Sequence, residues 1–193
     1  MSSPVAVEAP RVVEASLSDI VRLQDLQARD GLDGPTVKQY VSVIEQGRKM
    51  PPLEVSRVDG RLYLVDGFHR YAALDSLGLA VVGVVIHDDT WTKACARAAQ
   101  ANTAHGLRLK PREVRAQLGL FVRGALHRDP KGNLKSFRVI AAELGGAVHH
   151  NSIRGWIIKD FPKIAAKMRA PDREWKPGDN PRATQGPRTA IPV

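Results

Sequence analysis

The sequence predicts a mixed fold of two unlike halves: strands and helices together over residues 1–109, then helices alone over 110–170. Three observations lead there. Asp59-Gly60 stands between two runs of strand-forming residues, Leu53 to Val58 and Arg61 to Val65, which is the strongest short hairpin signal a sequence offers. The second run stops at Asp66-Gly67 and a helical pattern starts at His69-Arg70, so a strand feeds a tight glycine turn that opens a helix. Beyond about residue 90, apolar residues recur only at helical spacing.

The elements follow in order. Val12 to Ala15 is a short strand, and Ser18 to Asp30 is a polar segment. Gly31 to Gly34 is a turn, after which Pro35 suits the first residue of a helix whose stripe is Val37, Tyr40, Val41 and Ile44, closed by Gly47. Pro51-Pro52 breaks the chain before the hairpin. The helix after Gly67 carries Ala72, Ala73, Leu74 and Leu77 and stops at Gly78; Val81 to Ile86 is a third β-branched run. Asp89 or Thr90 caps a helix from Trp91 to about Ala104, and Pro111 opens another with Val114, Leu118, Phe121, Val122 and Ala125 on one face. After a loop over 129–133, Ser136 caps a short helix holding Ile140, Ala141, Ala142 and Leu144. Gly145-Gly146 turns the chain into a helix from about Ser152 to Lys159, which Phe161-Pro162 interrupts. From Pro171 onward Pro, Gly and charge dominate, so 171–193 is expected to be a mobile tail.

Bulk properties narrow the function classes. Hydrophobic residues make up 43% of the 193, enough for a packed core. No apolar run approaches the roughly 20 residues a membrane helix needs, and residues 1–10 lack the basic and apolar regions of a secretory signal. Cys95 is the one cysteine, which excludes an internal disulfide or a cysteine-based zinc site; a core position and a cytoplasmic, reducing setting are expected. Charge is divided: residues 1–90 carry a net −4 and residues 91–193 a net +13. A basic helical half points to a polyanionic partner, nucleic acid first.

The glycine turn carries the chemistry. A helix that begins at a turn offers main-chain N–H groups and a positive dipole end to an anion. Gly67 allows close approach of a ligand to the backbone, His69 and Arg70 are potential cations in the first turn, and the Arg70 fork suits phosphate oxygens. Asp66 is placed to hold a metal or take a proton, and Glu54 is a second carboxylate able to serve Mg²⁺. His149-His150 is not a metal pair, because adjacent helical residues point apart.

The run Leu64-Val65-Asp66-Gly67-Phe68-His69-Arg70-Tyr71-Ala72-Ala73, with Leu77-Gly78, Val81 to Ile86 and the upstream Pro52-Leu53-Glu54-Val55, resembles the ParB/sulfiredoxin superfamily over roughly residues 11–107. The resemblance implies an α+β domain with a mixed sheet that binds nucleotide phosphate or nucleic acid at this turn. Sulfiredoxins keep a reactive cysteine just before the His-Arg pair; Phe68 stands there, so sulfinic acid reduction is not expected. Partition proteins carry Gly-Glu-Arg-Arg where this chain has Gly67-Phe68-His69-Arg70, and Glu-Asn-x-x-Arg where it has Ala101-Asn102-Thr103-Ala104-His105. Asn102 and His105 are thereby implied as nucleotide contacts, and Asn102 as a metal ligand beside Asp66 and Glu54. Free-serine kinases use Asp-Gly-x-His-Arg, which Asp66 to Arg70 match. Arg138 to Gly145 resembles the first helix of a helix-turn-helix, whose second helix would present Asn151, Ser152, Arg154 and Lys159 to DNA, with Lys135 and Arg138 beside them.

The reading these features support is a nucleotide- and DNA-binding phosphohydrolase, an Mg²⁺-dependent ATPase and DNase, with ATP or another nucleoside triphosphate as ligand. The pairing of motif and basic helical unit resembles the Osa-type plasmid fertility-inhibition branch. That implies interference with a conjugation or secretion-channel DNA–protein complex, in the cytoplasm or peripherally at the inner membrane. Asp66, His69, Arg70 and Glu54 would be catalytic, with Gly67, Phe68, His69 and Arg70 cradling phosphate; Arg70→Ala is expected to abolish nucleotide binding and spare the fold. The alternatives are a non-enzymatic ParB-like DNA-binding regulator or partition accessory, and a kinase of free serine.

Overall fold

The structure, a computed structural model, describes residues 11–29, 31–104 and 109–168; His105 and the tail expected over 171–193 lie outside the described residues. Five strands form one mixed sheet: β1 Val12–Ser16, β2 Ile20–Val21, β3 Leu53–Val58, β4 Arg61–Asp66 and β5 Val81–Asp88. Their order across the sheet is β1-β5-β3-β4-β2. β1 runs antiparallel to β5 and β3 antiparallel to β4, whereas β3–β5 and β2–β4 are parallel. The hairpin turns at Asp59 and Gly60, both with positive φ (48° and 79°), the geometry that an Asp-Gly pair supplies.

Period-2 alternation sends β3 and β4 side chains to two cores. Leu53, Val55 and Leu64 face Tyr71 of helix α2 (Phe68–Ser76), with Val82 and Val84 of β5 beside them. Val58 and Val65 face Ala94, Cys95, Ala98 and Ala99 of α3 (Trp91–Ala104). That row of small residues lets α3 lie close on the sheet, and Cys95 is fully buried within it, as expected. Helix α1 (Gly34–Glu45) packs on α2; Asp33 caps it by accepting the Thr36 N–H at 2.9 Å. Its stripe of Val37, Tyr40, Val41 and Ile44 is half-buried.

The helical half contains α4 (Pro111–Arg123), α5 (Phe137–Glu143), α6 (His150–Asp160) and α7 (Pro162–Met168). Val114, Leu118, Phe121, Ile140, Ile153 and Ile157 form its core. Helix α4 belongs to both halves: Leu120 joins the core beneath the sheet, and buried Gln117 donates its side-chain N–H to the Ala99 carbonyl.

Four boundaries differ from expectation, each through a tertiary or capping partner. The polar segment over 18–30 contains β2, a two-residue strand too short for a period-2 signal and held by pairing to Leu62 and Tyr63. Ala125 lies beyond α4 at φ 58°, exposed, because the helix ends at Arg123. Helix α6 starts at His150 rather than Ser152, since His149 Nδ1 accepts the Asn151 N–H at 3.3 Å. Pro162 does not merely interrupt a helix; it opens α7, where its missing N–H costs nothing.

Gly124 follows α4 where it crosses α3, and a Cβ there would lie 2.6 Å from both Ala96 Cα and Ala96 N. Backbone cannot yield as a flexible side chain can. Gly124→Ala is therefore expected to destabilise the protein by about 1–3 kcal/mol, read as a lower urea midpoint; an unchanged midpoint would show that the α3–α4 contact is looser than this geometry requires.

Candidate functional site

The site is built where β4 hands the chain to α2. Gly67 has φ +96°, and a Cβ on it would sit 2.8 Å from Leu53 Cδ2 and 3.1 Å from Arg70 Nη2, so only glycine fits both the conformation and the space. The first intrahelical bond runs from the Tyr71 N–H to the Gly67 carbonyl at 2.7 Å. The N–H groups of Phe68, His69 and Arg70 precede it and have no helical acceptor. They open on a cleft of about 540 Å³ lined by the Gly67 turn, Glu54, Asp66 and Asn102, with Tyr40 of α1 on its wall.

Arg70 does not present a free fork to this cleft, which corrects the expected role of that residue as a phosphate grip. Its Nη1 donates to the Pro51 carbonyl at 2.8 Å and the Pro52 carbonyl at 2.7 Å, and its Nη2 donates to Asp66 Oδ2 at 2.8 Å. The Arg70 side chain is only 11% exposed. The guanidinium is thus a brace that ties β4, α2 and the approach to β3 together. Pro51 and Pro52 were not anticipated as partners. Their signal was present all the same: a Pro-Pro break leaves carbonyls that no sheet ladder uses.

His69 is likewise not the cation expected. Its Nε2 accepts the Asp33 N–H at 3.0 Å, which leaves the ring proton on Nδ1. Burial and the nearby Arg29 lower its pKa, while Asp33 opposes them. A neutral His69 can donate one hydrogen bond from Nδ1 and contributes no charge.

The two carboxylates do come together. Glu54 and Asp66 are register partners on β3 and β4, and both line the cleft. Glu54 also lies 3.5 Å from His87 Nε2, a neighbour on β5 that the sequence reading missed. Asn102 lines the same cleft; its Nδ2 spends one of its two N–H groups on the Ala98 carbonyl at 2.8 Å, which leaves the second N–H and Oδ1. Phe68 packs against both sheet cores. Cys95 is remote in α3, and burial pushes its thiol up, away from reactivity.

The second group of expected residues sits on α5 and α6. Arg138, Asn151, Ser152, Arg154 and Lys159 are exposed, while Ile153 and Ile157 pack inward. Gly145 and Gly146 (φ 86° and 64°) make the turn between the helices. Lys135 departs from this set: its ammonium donates to Glu143 Oε2 at 2.8 Å and lies 5.6 Å from the Phe121 ring centroid, which holds the loop to α5.

The chain is similar to sulfiredoxin from Arabidopsis thaliana, at 32% identity over 46% of this chain and 97% of that one, with a TM-score of 0.40. It is similar at 16% identity to the C-terminally truncated chromosome-partitioning protein ParB from Caulobacter crescentus complexed to the centromeric parS site (75% of this chain, 70% of that chain, TM-score 0.46). The same partitioning protein complexed with CTP-gamma-S matches at 16% identity, 76% and 77% coverage and a TM-score of 0.45. No family model and no curated protein matches the chain.

The lowered His69 pKa has a sign. A base whose folded-state pKa lies below its unfolded value of about 6.5 binds protons more weakly when folded, so its contribution is intact above that pH and is lost as pH falls below it. Thermal melts from pH 7.5 to 5.5 are expected to show a falling Tm, with a smaller fall in His69→Gln, whose amide oxygen can still accept from Asp33. Identical falls in both proteins would contradict the assignment.

Proposed function

From the premise that this chain belongs to the ParB/sulfiredoxin superfamily, we propose that it binds a nucleoside triphosphate over the Gly67 turn and duplex DNA through α5 and α6, and that it hydrolyses the nucleotide. One observation carries the reading: the Arg70 brace fixes a left-handed glycine so that three unbonded main-chain N–H groups and a helix dipole face a cleft that also holds two carboxylates. Main-chain amides with a positive dipole end suit phosphate oxygens. His69 Nδ1–H is a further donor to the same oxygens.

Glu54 and Asp66 fit Mg²⁺: it takes oxygen ligands, and one or two protein carboxylates suffice when phosphate supplies the rest. Bound there, the ion would neutralise charge on the phosphoryl group. The chain's own part is to orient the triphosphate on the amides of 68–70 and to hold Asp66 in one rotamer through Arg70. ATP as the nucleotide, DNA cleavage, plasmid origin and action on a conjugation complex rest on the resemblance of the motif to the Osa-type branch. The partitioning protein's CTP-gamma-S complex makes CTP the second nucleotide to test. A binding regulator without turnover shares the geometry and differs only in releasing no phosphate.

Titration with fluorescent ATP and CTP tests the site. Arg70→Ala is expected to weaken binding and to lower the unfolding free energy by about 3 kcal/mol, because it strands the Asp66 carboxylate. Weaker binding at unchanged stability would make Arg70 a direct ligand instead, and unchanged affinity would remove the site. Asp66→Asn is expected to retain nucleotide and lose phosphate release. For DNA, Arg154→Ala is expected to weaken duplex binding and reduce the salt slope by about one with no change in Tm, since Arg154 is exposed; full binding by the variant would remove α6 from the interface.

A further inference from the structure

The two carboxylates of the cleft are not held alike. Asp66 is bonded to Arg70 at 2.8 Å, and that pair carries no net charge. Glu54 has no arginine or lysine partner among the described residues; its neighbour is His87, with Nε2 3.5 Å from Oε2. The negative charge that the cleft offers a cation is therefore mainly that of Glu54. Its side chain is 41% exposed, which leaves it room to turn.

Strand order explains how these residues meet. β3 lies between β5 and β4, so Glu54 stands between His87 and Asp66. Glu54 pairs with Val85 and Ser56 with His87, which puts His87 two residues along β5 on the same face as Glu54. On its other side Glu54 pairs with Asp66, next to a register shift between Glu54 and Val55. Such irregularities re-aim side chains at the ends of strands.

The polar groups behind His87 are already satisfied. Asp89, two residues on, accepts from Ser56 Oγ at 2.7 Å and from Arg97 Nε of α3 at 3.0 Å, and its side chain is only 4% exposed. That network fixes the end of β5 to β3 and α3 without using the imidazole. His87 Nε2 is itself buried and has no hydrogen-bond partner. A buried N–H without an acceptor costs about 1–3 kcal/mol. The Glu54 carboxylate is the acceptor nearby, and a small turn of its exposed side chain completes the bond. Facing a carboxylate, which only accepts, Nε2 carries a proton. With Oε2 engaged by His87, Oε1 is left for the side where Asp66 stands. Among the described residues no three of His, Cys, Asp and Glu gather into a metal site of their own. His87 accordingly acts behind Glu54 and is not a further ligand.

We propose that His87 is a positioning residue for the cation of the cleft: its Nε2–H holds Glu54 in the rotamer that faces Asp66 and the phosphates on the Gly67 turn. The inference rests on the reading of that turn as a triphosphate site with Mg²⁺. It adds which carboxylate carries the unbalanced charge and what aims it. Carboxylates that ligate a metal are themselves hydrogen-bonded, and loss of such a partner costs roughly 10–100-fold in metal affinity.

The test uses the full chain with fluorescent ATP and fluorescent CTP, each titrated once in EDTA and once in Mg²⁺. The readout is the ratio of the two dissociation constants, the gain in affinity that the cation confers, which cancels damage common to both conditions. His87→Ala is expected to reduce that gain about tenfold. His87→Leu, which fills the space of the ring and donates nothing, is held to the same expectation if His87→Ala melts early. His87→Gln, whose amide N–H reaches the place of Nε2, is expected to restore most of the gain. Glu54→Gln is expected to reduce it at least as far as His87→Ala, and the double variant no further, because the imidazole then has no carboxylate to aim. A full gain without the imidazole, a loss in His87→Gln as large as in His87→Ala, or losses that add in the double variant would each overturn the role of His87. Equal nucleotide affinity with and without Mg²⁺ in the wild type would overturn it as well and leave the triphosphate site standing. No binding of either nucleotide by the wild type would overturn both readings.

Discussion

The bridge from the Arg70 guanidinium to Asp66 and to the carbonyls of Pro51 and Pro52 is the constraint on which the site depends. It ties together three pieces of chain, the end of β4, the start of α2 and the approach to β3, beside the strand pairing that already sets Glu54 against Asp66. Arg70 Nη2 lies 3.1 Å and Leu53 Cδ2 2.8 Å from where a Cβ on residue 67 would be, so the bridge adds to the crowding that, with a φ of +96°, favours glycine there. The glycine, the left-handed φ and the exposed amides of α2 then follow as one geometric solution.

Magnitudes decide what this bridge is for. A largely desolvated ion pair contributes little net stability compared with a well-packed apolar replacement, yet breaking one partner costs several kcal/mol. Arg70 and Asp66, at 11% and 24% side-chain exposure, are in that regime. Their value is positional. The attraction for an anion must then come from the helix N-terminus, worth about half an elementary charge, and from donors such as His69 Nδ1. On the proposed nucleotide reading, a site made of main-chain amides would take phosphate whatever the base, and discrimination would fall to the cleft wall, where Tyr40, Val43 and Met50 stand.

What was legible in the sequence was local. The Asp59-Gly60 turn, the glycine after Asp66, the caps Asp33 and Ser136 and the helical stripe of α4 each depend on residues within one turn of chain, and each lies where its pattern put it. The errors share a cause. His69 read as a cation because its partner is 36 residues away; two acceptors of Arg70 are 18 and 19 residues away, although its third, Asp66, is only four residues back. Lys135 read as a DNA contact because Glu143 and Phe121 are neighbours only in the folded chain. β2 was invisible because a two-residue strand owes its existence to β4. Charge sign is written in a sequence, but whether a charge is spent internally is decided by tertiary contacts.

Helix α4 shows how one element can serve both halves. Its apolar positions divide between two cores, with Leu118 and Phe121 in one and Leu120 in the other. Gln117 ties its middle to the end of α3, and Gly124 lets its C-terminal end touch the α3 backbone. Three sides of the helix are thereby fixed, and the fourth carries the arginines. Long, flexible cations on a mobile element would lose conformational entropy on meeting a ligand; on a helix held from three sides the spacing of the guanidinium groups is already set, and only the side-chain rotamers remain to be ordered.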